Sequence, residues 1–271
     1  MMDNHLIQSL LDALDEYKKL GIAEQIDYDK FALYSIITHS TAIEGSTVTL
    51  LENQLLFDDG LTAQGRSLYE QMMNLDLKHT YDYCLQIKDQ NLELSVNLLK
   101  SLAALVMKNT GSTYKTVRGN FSATDGDLRL VNVTAGNTGH SYLPYQKIPA
   151  KLIDFCSRYN KLRQKSMHIV ESYAMSFNAH LELVIIHPWA DGNGRMARLL
   201  MNFLQFERNL VSVKITKEQK REYIQSLIDS RENQNYEIFC EAMFNLHLKN
   251  MRHEIKDYQR YQISELPIIS M

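Results

Sequence analysis

The segment from His187 to Arg198 reads His-Pro-Trp-Ala-Asp-Gly-Asn-Gly-Arg-Met-Ala-Arg. It places an imidazole, a carboxylate, an amide, two glycines and two guanidinium groups within one short stretch of chain. An apolar run, Leu183 to Ile186, precedes it, and a second apolar run, Leu199 to Met201, follows it. This pattern predicts a polar loop between two buried elements, which is a favourable place for a functional site.

The glycines and arginines of this loop are suited to binding phosphate. Gly192 and Gly194 lack a Cβ atom, so the backbone can turn sharply and approach a ligand closely. The residues that follow, Arg195 to Leu204, favour a helix, and the free N–H groups at a helix start attract anions. Arg195 and Arg198 lie three positions apart on that helix, so both guanidinium groups can grip phosphate oxygens from roughly one face.

Two other side chains suggest a reaction at that phosphate. Asp191 offers hard oxygen atoms, and magnesium usually binds one or two carboxylates together with substrate phosphates. His187 is suited to act as a general base because the ordinary pKa of histidine lies near neutrality. Each residue alone has a commoner structural explanation, but their combination favours a site for magnesium and a triphosphate. The loop is neither a Walker A loop, since no Gly-Lys-Ser/Thr follows, nor a Rossmann turn, since the G-x-G-x-x-G spacing is missing.

The loop resembles the active-site motif of the Fic family, His-Pro-Phe-x-(Asp/Glu)-Gly-Asn-Gly-Arg-x-x-Arg, with Trp189 in place of the phenylalanine. Most Fic proteins transfer AMP from ATP to a hydroxyl group of a target protein and release pyrophosphate. The resemblance implies that His187 deprotonates the attacking hydroxyl, that Asp191 holds Mg²⁺ against the phosphates and that Trp189 is a hydrophobic anchor. It also implies a set of nucleotide-binding residues: Gly192, Asn193, Gly194, Arg195 and Arg198.

A second segment, Ser40-Thr-Ala-Ile-Glu44-Gly45, lies at the predicted end of a helix. By itself it indicates only that a helix ends at a glycine. It is similar to the Fic inhibitory-helix motif Ser/Thr-x-x-x-Glu-(Gly/Asn), whose glutamate pairs with the second arginine of the active-site motif, here Arg198. The resemblance implies that Ser40, Glu44 and Gly45 form an N-terminal inhibitory element. A carboxylate on Arg198 would take the place of the γ-phosphate and hold ATP in a pose unsuited to in-line attack.

Composition changes between residues 111 and 139, which contain five of the 11 glycines. The β-branched residues from Leu128 to Thr134 predict a strand, and His140 to Leu143 is expected to return as a second strand after a turn. A surface hairpin without a role is the commoner explanation of such a segment. Fic proteins carry a β-hairpin flap here, after a Gly-x-x-Arg that Gly126-Asp-Leu-Arg129 resembles, and its main chain is expected to dock a target segment near His187. The resemblance assigns five residues to this target-docking flap: Val131, Asn132, Val133, Tyr142 and Leu143.

The composition is typical of a helical globular protein. The chain has 271 residues, 45% of them hydrophobic and 23% charged, with 4 prolines. A formal net charge of −3 argues against nucleic-acid binding, which favours a basic surface. No apolar run approaches the roughly 20 residues that span a membrane, so we expect no membrane association. The N-terminus shows no secretory signal, and the three cysteines form no disulfide or zinc pattern, so we expect a cytoplasmic location.

Apolar residues recur at helical spacing along most of the chain and predict an all-α fold with a small β-hairpin flap next to the active-site loop. The resemblance covers roughly residues 30–250 and implies a Fic-type helical bundle. We expect N-terminal helices with the inhibitory helix at 1–60, the catalytic core at 61–250 and a C-terminal tail at 251–271. The tail either packs on the core or associates with another chain, which leaves an oligomer open. The predicted helices are 5–20, 29–43, 68–85, 94–106, 148–165, 169–186, 195–209, 217–230 and 235–250.

Together these features predict a magnesium-dependent protein adenylyltransferase, a nucleotidyltransferase restrained by the pairing of Glu44 with Arg198. Its partners would be ATP and a target protein with a Tyr, Ser or Thr hydroxyl. Three alternatives stay open: removal of AMP by a Glu44-activated water, transfer from another nucleotide, and a non-catalytic module that binds ATP or a partner. The intact His187, Asp191 and Asn193 argue against the last, because a pure binder needs no base.

Overall fold

Helices account for most of the structure, a computed structural model that describes residues 3–135 and 141–264. All nine predicted helices are present, together with a tenth at residues 50–58, and the predicted all-α fold with a small β-hairpin is confirmed. None of the helices in this described part combines the length and the hydropathy needed to cross a membrane. The elements are α1 (Asn4–Lys19), α2 (Tyr28–Ile43), α3 (Leu50–Asp58), α4 (Leu68–Ile87), α5 (Val96–Val106), β1 (Thr113–Thr116), β2 (Gly119–Ser122), α6 (Ile148–Arg163), α7 (Ile169–Ile186), α8 (Asn193–Phe206), α9 (Lys220–Glu232) and α10 (Tyr236–Ser264).

The chain divides into two compact units. Met1–Ile36 and Lys214–Met271 form one, which we call the terminal unit, and Ile37–Val213 forms the other, which we call the central unit. These boundaries lie at positions other than the residues 60 and 250 expected from the sequence. All residues of the predicted active site, flap and inhibitory segment belong to the central unit.

The central unit is built around α7 and α8, which flank the loop at residues 187–192. Both helices are buried over most of their surface, as the apolar runs on either side of the loop predict. Helices α4 and α5 pack against α8, and α6 packs against α7. The core side chains of this helix pair include Phe177, Leu181, Leu183, Leu199 and Phe203. A loop held between two buried helices has little freedom, so the core positions its functional groups.

In the terminal unit, α10 contacts both α1 and α9. Four residues of α1 are buried along one face at helical spacing: Leu6, Leu10, Ala13 and Tyr17. Gly21 follows this helix with a φ of +63°, where the sequence predicts the helix end. Helix α10 continues to Ser264, so much of the segment expected as a tail after residue 250 is helical.

The regular strands lie outside the segment in which the sequence predicts them. The expected strand from Leu128 to Thr134 is wrong, because only one bridge, between Thr134 and Ser141, joins the two described sides of that segment. Beside it, the Tyr142 N–H donates to the Val133 carbonyl at 3.1 Å. Residues 136–140, with the expected turn and His140, lie outside the described part of the chain.

Side-chain hydrogen bonds also join the two sides of this segment. The Arg129 guanidinium donates to the carbonyl groups of Val131 and Leu143. The hairpin of β1 and β2 is instead stabilised by the stacking of Tyr114 on Phe121, whose ring centroids are 5.0 Å apart.

Two buried histidines make the fold sensitive to acid. Burial lowers the pKa of His247 in the terminal unit to about 3, and burial together with the charge of Arg198 lowers that of His180 in the central unit to about 3. In the unfolded chain both titrate near 6.5. Below that pH the unfolded chain binds protons that the folded chain excludes, so stability falls as pH drops from about 6.5 towards 3.

We therefore expect His247→Leu to flatten the pH dependence of stability. Each histidine contributes a slope of about 1.4 kcal/mol per pH unit between its two pKa values, and the variant removes one such contribution. Urea midpoints between pH 7 and pH 4 measure this slope, with the exposed His5 replaced as a control. An unchanged slope in His247→Leu would contradict the assignment.

Candidate active site

His187 lies where α7 ends. Its φ of +50° is in the left-handed region, and its backbone N–H donates to the Leu183 carbonyl at 2.9 Å. This conformation is uncommon for a residue other than glycine. It turns the chain sharply out of the helix into Pro188, so the helix end sets the position of the imidazole.

The His187 imidazole is neutral at physiological pH. Burial, followed by the positive charge of Arg129, lowers its pKa to about 4, against a hydrogen bond with the Val184 backbone that raises it. The Tyr142 ring stacks on the imidazole, with a centroid distance of 3.8 Å and an interplanar angle of 16°. A neutral imidazole can accept a proton, as a general base must.

Asn193 and Trp189 hold the loop in a closed turn. The Asn193 side chain accepts from the Trp189 N–H at 3.1 Å and donates to the Trp189 carbonyl at 2.9 Å. The Trp189 ring is buried, and its indole N–H donates to the Gly126 carbonyl at 3.1 Å. Trp189 therefore anchors the loop, as expected. The Asn193 amide is occupied by the loop backbone, so its side chain holds the turn of the loop.

The start of α8 faces the loop without a side-chain cap. Gly192 is the N-cap, with a φ of +79°, and its N–H donates to the Asp191 carboxylate at 2.6 Å. The Asp191 side chain is about half exposed. A Cβ atom on Gly194 would lie 2.5 Å from the Glu44 Oε1 atom. The glycines thus leave the helix start open towards Asp191 on one side and Glu44 on the other.

Arg195 is a buried cation with weak partners. The residue is 2% exposed, and its guanidinium donates to the Met107 Sδ at 3.0 Å and to the Val106 carbonyl at 3.4 Å. The Asp191 carboxylate lies 3.9 Å away. The Nε atom has no hydrogen-bond partner in the described part of the chain. The buried Asp76 carboxylate interacts with Arg195 electrostatically, but among the described residues the hydrogen bonds of the guanidinium reach only a thioether and one carbonyl, so it keeps donors with which to bind an anion.

Arg198 binds the end of α2. Its Nη2 atom lies 2.6 Å from the Glu44 Oε1 atom and 3.0 Å from the Ser40 carbonyl, and its Nε donates to the Ser40 hydroxyl at 2.8 Å. Arg198 and Ser40 are both buried. Gly45, with a φ of +105°, turns the chain away after the helix, and its N–H donates to the Ala42 carbonyl at 3.1 Å. The structure therefore brings Ser40 and Glu44 to Arg198, which follows them by 158 and 154 residues.

The predicted flap residues are connected to His187 through Tyr142 and Arg129. Tyr142 stacks on the His187 ring, while the carbonyl groups of Val131 and Leu143 accept hydrogen bonds from Arg129. The Asn132 side chain accepts from the Tyr145 N–H at 3.0 Å, and the Val133 carbonyl accepts from the Tyr142 N–H. The two sides of the flap are thus joined to each other and to the loop that begins at His187.

Some residues of the site have no signal in the sequence. Met107 and Val106 contact Arg195, and Met107 also lies against Gly192. In the sequence, Val106 and Met107 are ordinary apolar positions at the end of a helix. Only the packing of α5 against α8 brings them to the loop.

Gly192→Ala is expected to destabilise the fold by about 1–3 kcal/mol more than Gly65→Ala. The two glycines have nearly equal φ values, +79° and +78°, so both substitutions carry similar backbone strain. At Gly65 nothing lies within 4 Å of the new Cβ atom, whereas at Gly192 it would lie 2.7 Å from the Met107 Sδ, which holds Arg195. Urea unfolding of both variants measures the difference. Equal losses of stability in the two variants would show that the Met107 side chain moves away from the new Cβ atom at little energetic cost.

The sequence of this chain is similar to a family model and to curated proteins that carry the name Fic. Residues 93–205 match the Fic/DOC family model. The chain is 25% identical over 231 residues to protein adenylyltransferase fic-1 of Caenorhabditis elegans, covering 83% of this chain and 42% of that protein. It is 30% identical over 201 residues to protein adenylyltransferase Fic of Drosophila mojavensis, covering 72% and 36%. The chain thus spans less than half the length of these curated relatives.

Solved structures show the same fold. A Fic-domain-containing signaling protein from Bacteroides thetaiotaomicron superposes with a TM-score of 0.74 at 20% identity, covering 93% of this chain and 97% of that one. Fic-1 from C. elegans superposes with a TM-score of 0.73 at 19% identity, covering 94% and 73%. The family match includes residues 187–198, which carry the motif described above. Residues 93–205 of the chain are therefore a Fic/DOC domain.

Proposed function

We propose that this protein is a protein adenylyltransferase, which transfers AMP from magnesium-bound ATP to a hydroxyl group of a target protein and is restrained by Glu44. The observation that carries the proposal is the buried, weakly partnered guanidinium of Arg195, which lies on the first turn of α8, at the end of a loop that begins with a neutral histidine. The relatives named protein adenylyltransferase support this activity.

The triphosphate would bind at the start of α8. The backbone N–H groups next to Gly192 and Gly194 and the positive end of the helix dipole attract phosphate oxygens. Arg195 would hold the β-phosphate and Arg198 the γ-phosphate, each through a planar pair of donors. Binding there would give an anion to the remaining donors of Arg195.

Asp191 fits a magnesium ion shared with the substrate. In the described part of the chain no three histidine, cysteine or acidic side chains cluster to hold a metal by themselves. Magnesium commonly needs only one or two carboxylates when phosphates complete its shell, and the half-exposed Asp191 carboxylate supplies one. Bound magnesium would neutralise phosphate charge.

His187 would act as the general base. The imidazole accepts the proton of the target hydroxyl while that oxygen attacks the α-phosphorus. A bond forms between the target oxygen and the α-phosphorus, the bond from the α-phosphorus to the bridging oxygen of the β-phosphate breaks, and pyrophosphate leaves. The low pKa of His187 then favours release of the proton to solvent. The flap main chain would present the target segment beside this imidazole.

Glu44 would restrain the reaction by holding Arg198. The carboxylate, 2.6 Å from the guanidinium, competes with the γ-phosphate for the same donor and repels it. ATP that binds without this contact would lack the alignment on which phosphoryl transfer depends. The resting protein is then folded and inhibited by its own helix α2.

Intact mass after incubation with magnesium and each of the four ribonucleoside triphosphates tests the proposed function. Wild type, Glu44→Gly and Glu44→Gly/His187→Ala are compared, alone and with cell lysate. An added AMP with Glu44→Gly, absent from the double variant, supports transfer. If the added mass comes from another nucleotide, that nucleotide is the donor instead of ATP. If wild type removes an AMP adduct and Glu44→Gly does not, the protein removes AMP and does not add it. If ATP binds but no adduct forms, the protein is a non-catalytic binding module.

A further inference from the structure

Arg129 is a buried cation whose partners are carbonyl groups. The residue is 1% exposed. Its Nε donates to the His187 carbonyl at 2.8 Å, its Nη1 to the Val131 carbonyl at 2.6 Å and its Nη2 to the Leu143 carbonyl. One planar group therefore joins the histidine of the active site to both sides of the flap. Such a fork suits a guanidinium, because its donors point in fixed, divergent directions.

The backbone of Arg129 is attached to the same loop. Its N–H donates to the Pro188 carbonyl at 3.0 Å. Three residues earlier, the Gly126 carbonyl accepts from the Trp189 indole. Gly126 has a φ of +67°, and a Cβ atom there would lie 1.9 Å from the Lys100 carbonyl of α5. The segment from Gly126 to Arg129 is therefore fixed between α5 and the loop, and the guanidinium extends from a rigid base.

From these contacts we propose that Arg129 is a positioning residue, which holds the flap at a set distance from His187 so that a docked target hydroxyl meets the imidazole. The proposal rests on the proposed adenylyl transfer and adds to it a residue outside the active-site motif. Tyr142 completes the arrangement, because it precedes Leu143 and stacks on the His187 ring. His187 is thus fixed through its carbonyl by Arg129 and through its ring face by the flap.

The charge of Arg129 has a second effect on the same histidine. His187 is faced by Arg129 and Tyr142 from the flap side and by the Val184 backbone from its own helix. The guanidinium opposes protonation of the imidazole. Its loss would raise the pKa of His187, whereas a lysine would keep a positive charge there but offer a single nitrogen to the three carbonyl groups.

Two variants separate the geometric effect from the charge effect. Arg129→Lys and Arg129→Gln are made in the Glu44→Gly background. Arg163→Lys and Arg163→Gln are the matched controls, because Arg163 is also a largely buried arginine of the central unit, bound to Glu207 and to the Leu92 carbonyl away from the loop. Amide hydrogen exchange is followed in peptides covering 131–135 and 141–147, with 113–122 as an internal reference. Magnesium-ATP binding, AMP transfer and the histidine NMR titration are measured on the same samples.

We expect both Arg129 variants to speed exchange in the two flap peptides at least tenfold relative to the Arg163 variants, with magnesium-ATP affinity changed less than about threefold. AMP transfer should fall about 100-fold, the typical effect of an error of about 1 Å in placement. The NMR titration of His187, assigned with His187→Ala, should move to higher pH in Arg129→Gln and stay close to the parent in Arg129→Lys.

The positioning role would be overturned if the flap peptides exchange no faster in Arg129→Lys than in Arg163→Lys. It would also be overturned if Arg129→Lys and Arg163→Lys reduce the rate of AMP transfer equally. If Arg129→Gln fails to fold, Arg129→Lys alone decides between these outcomes. If the Glu44→Gly parent transfers no AMP, the proposed function fails, while the exchange rates still decide whether Arg129 holds the flap.

Discussion

Replacing Glu44 with glycine is expected to raise the rate of AMP transfer at least tenfold, within the range of about 5–150-fold that couplings of 1–3 kcal/mol produce. The carboxylate lies 2.6 Å from the Arg198 guanidinium, which is buried, whereas the Glu44 side chain is about one third exposed. Its removal frees the buried guanidinium for the γ-phosphate. Glu44 follows the last residue of α2 and precedes a glycine, so the substitution disturbs little helical structure.

The measurement is the initial rate of AMP incorporation with magnesium-ATP. Glu44→Gln separates charge from size, because it keeps the shape of the side chain while removing the repulsion of phosphate, and it should release part of the activity. Thermal unfolding gives an independent readout. Without Glu44, the buried Arg198 loses its counter-charge, so magnesium-ATP should raise the Tm of Glu44→Gly more than that of wild type. Equal rates in wild type and Glu44→Gly would rule out restraint by this pair.

His187→Ala in the Glu44→Gly background is expected to reduce AMP transfer by about 10²–10⁴-fold, the usual contribution of general acid–base catalysis. The imidazole is neutral because burial and Arg129 hold its pKa near 4, so a proton acceptor is present at physiological pH and is lost only as the pH falls towards that value. Magnesium-ATP affinity should change little, since the proposed phosphate-binding groups belong to the start of α8, at Gly192 and beyond.

Single-turnover incorporation of AMP and direct binding of magnesium-ATP check this prediction. His168→Ala is the matched control, because His168 is exposed and precedes the opposite end of the same helix, α7. Transfer by His187→Ala at a rate close to that of the His168→Ala control would remove His187 from the role of base. A loss of ATP binding in His187→Ala would instead assign it to the nucleotide site.

The sequence determined on its own the features that reside in contiguous residues. The loop from His187 to Arg198 carries its imidazole, carboxylate, glycines and arginines in one segment, and the apolar runs beside it predict the buried α7 and α8. Helical periodicity needs only neighbouring turns, so nine helices were predicted within a few residues, apart from the continuation of α10 to Ser264, whereas α3 was not predicted as a separate helix. The pairing of Glu44 with Arg198 spans 154 residues and was available only because both lie in recognisable motifs.

Tertiary structure alone decided the contacts between segments that carry no such pattern. Met107 reaches Arg195 across 88 residues, and Arg129 reaches the His187 carbonyl across 58, because the packing of the helices brings their backbones together. Local preference alone did not decide where the strands form. The β-branched residues after Arg129 favour a strand, but in the described part of the chain a single bridge, between Thr134 and Ser141, forms there. Strand formation depends on which partner a backbone group finds in space, and the propensity of one segment does not select that partner.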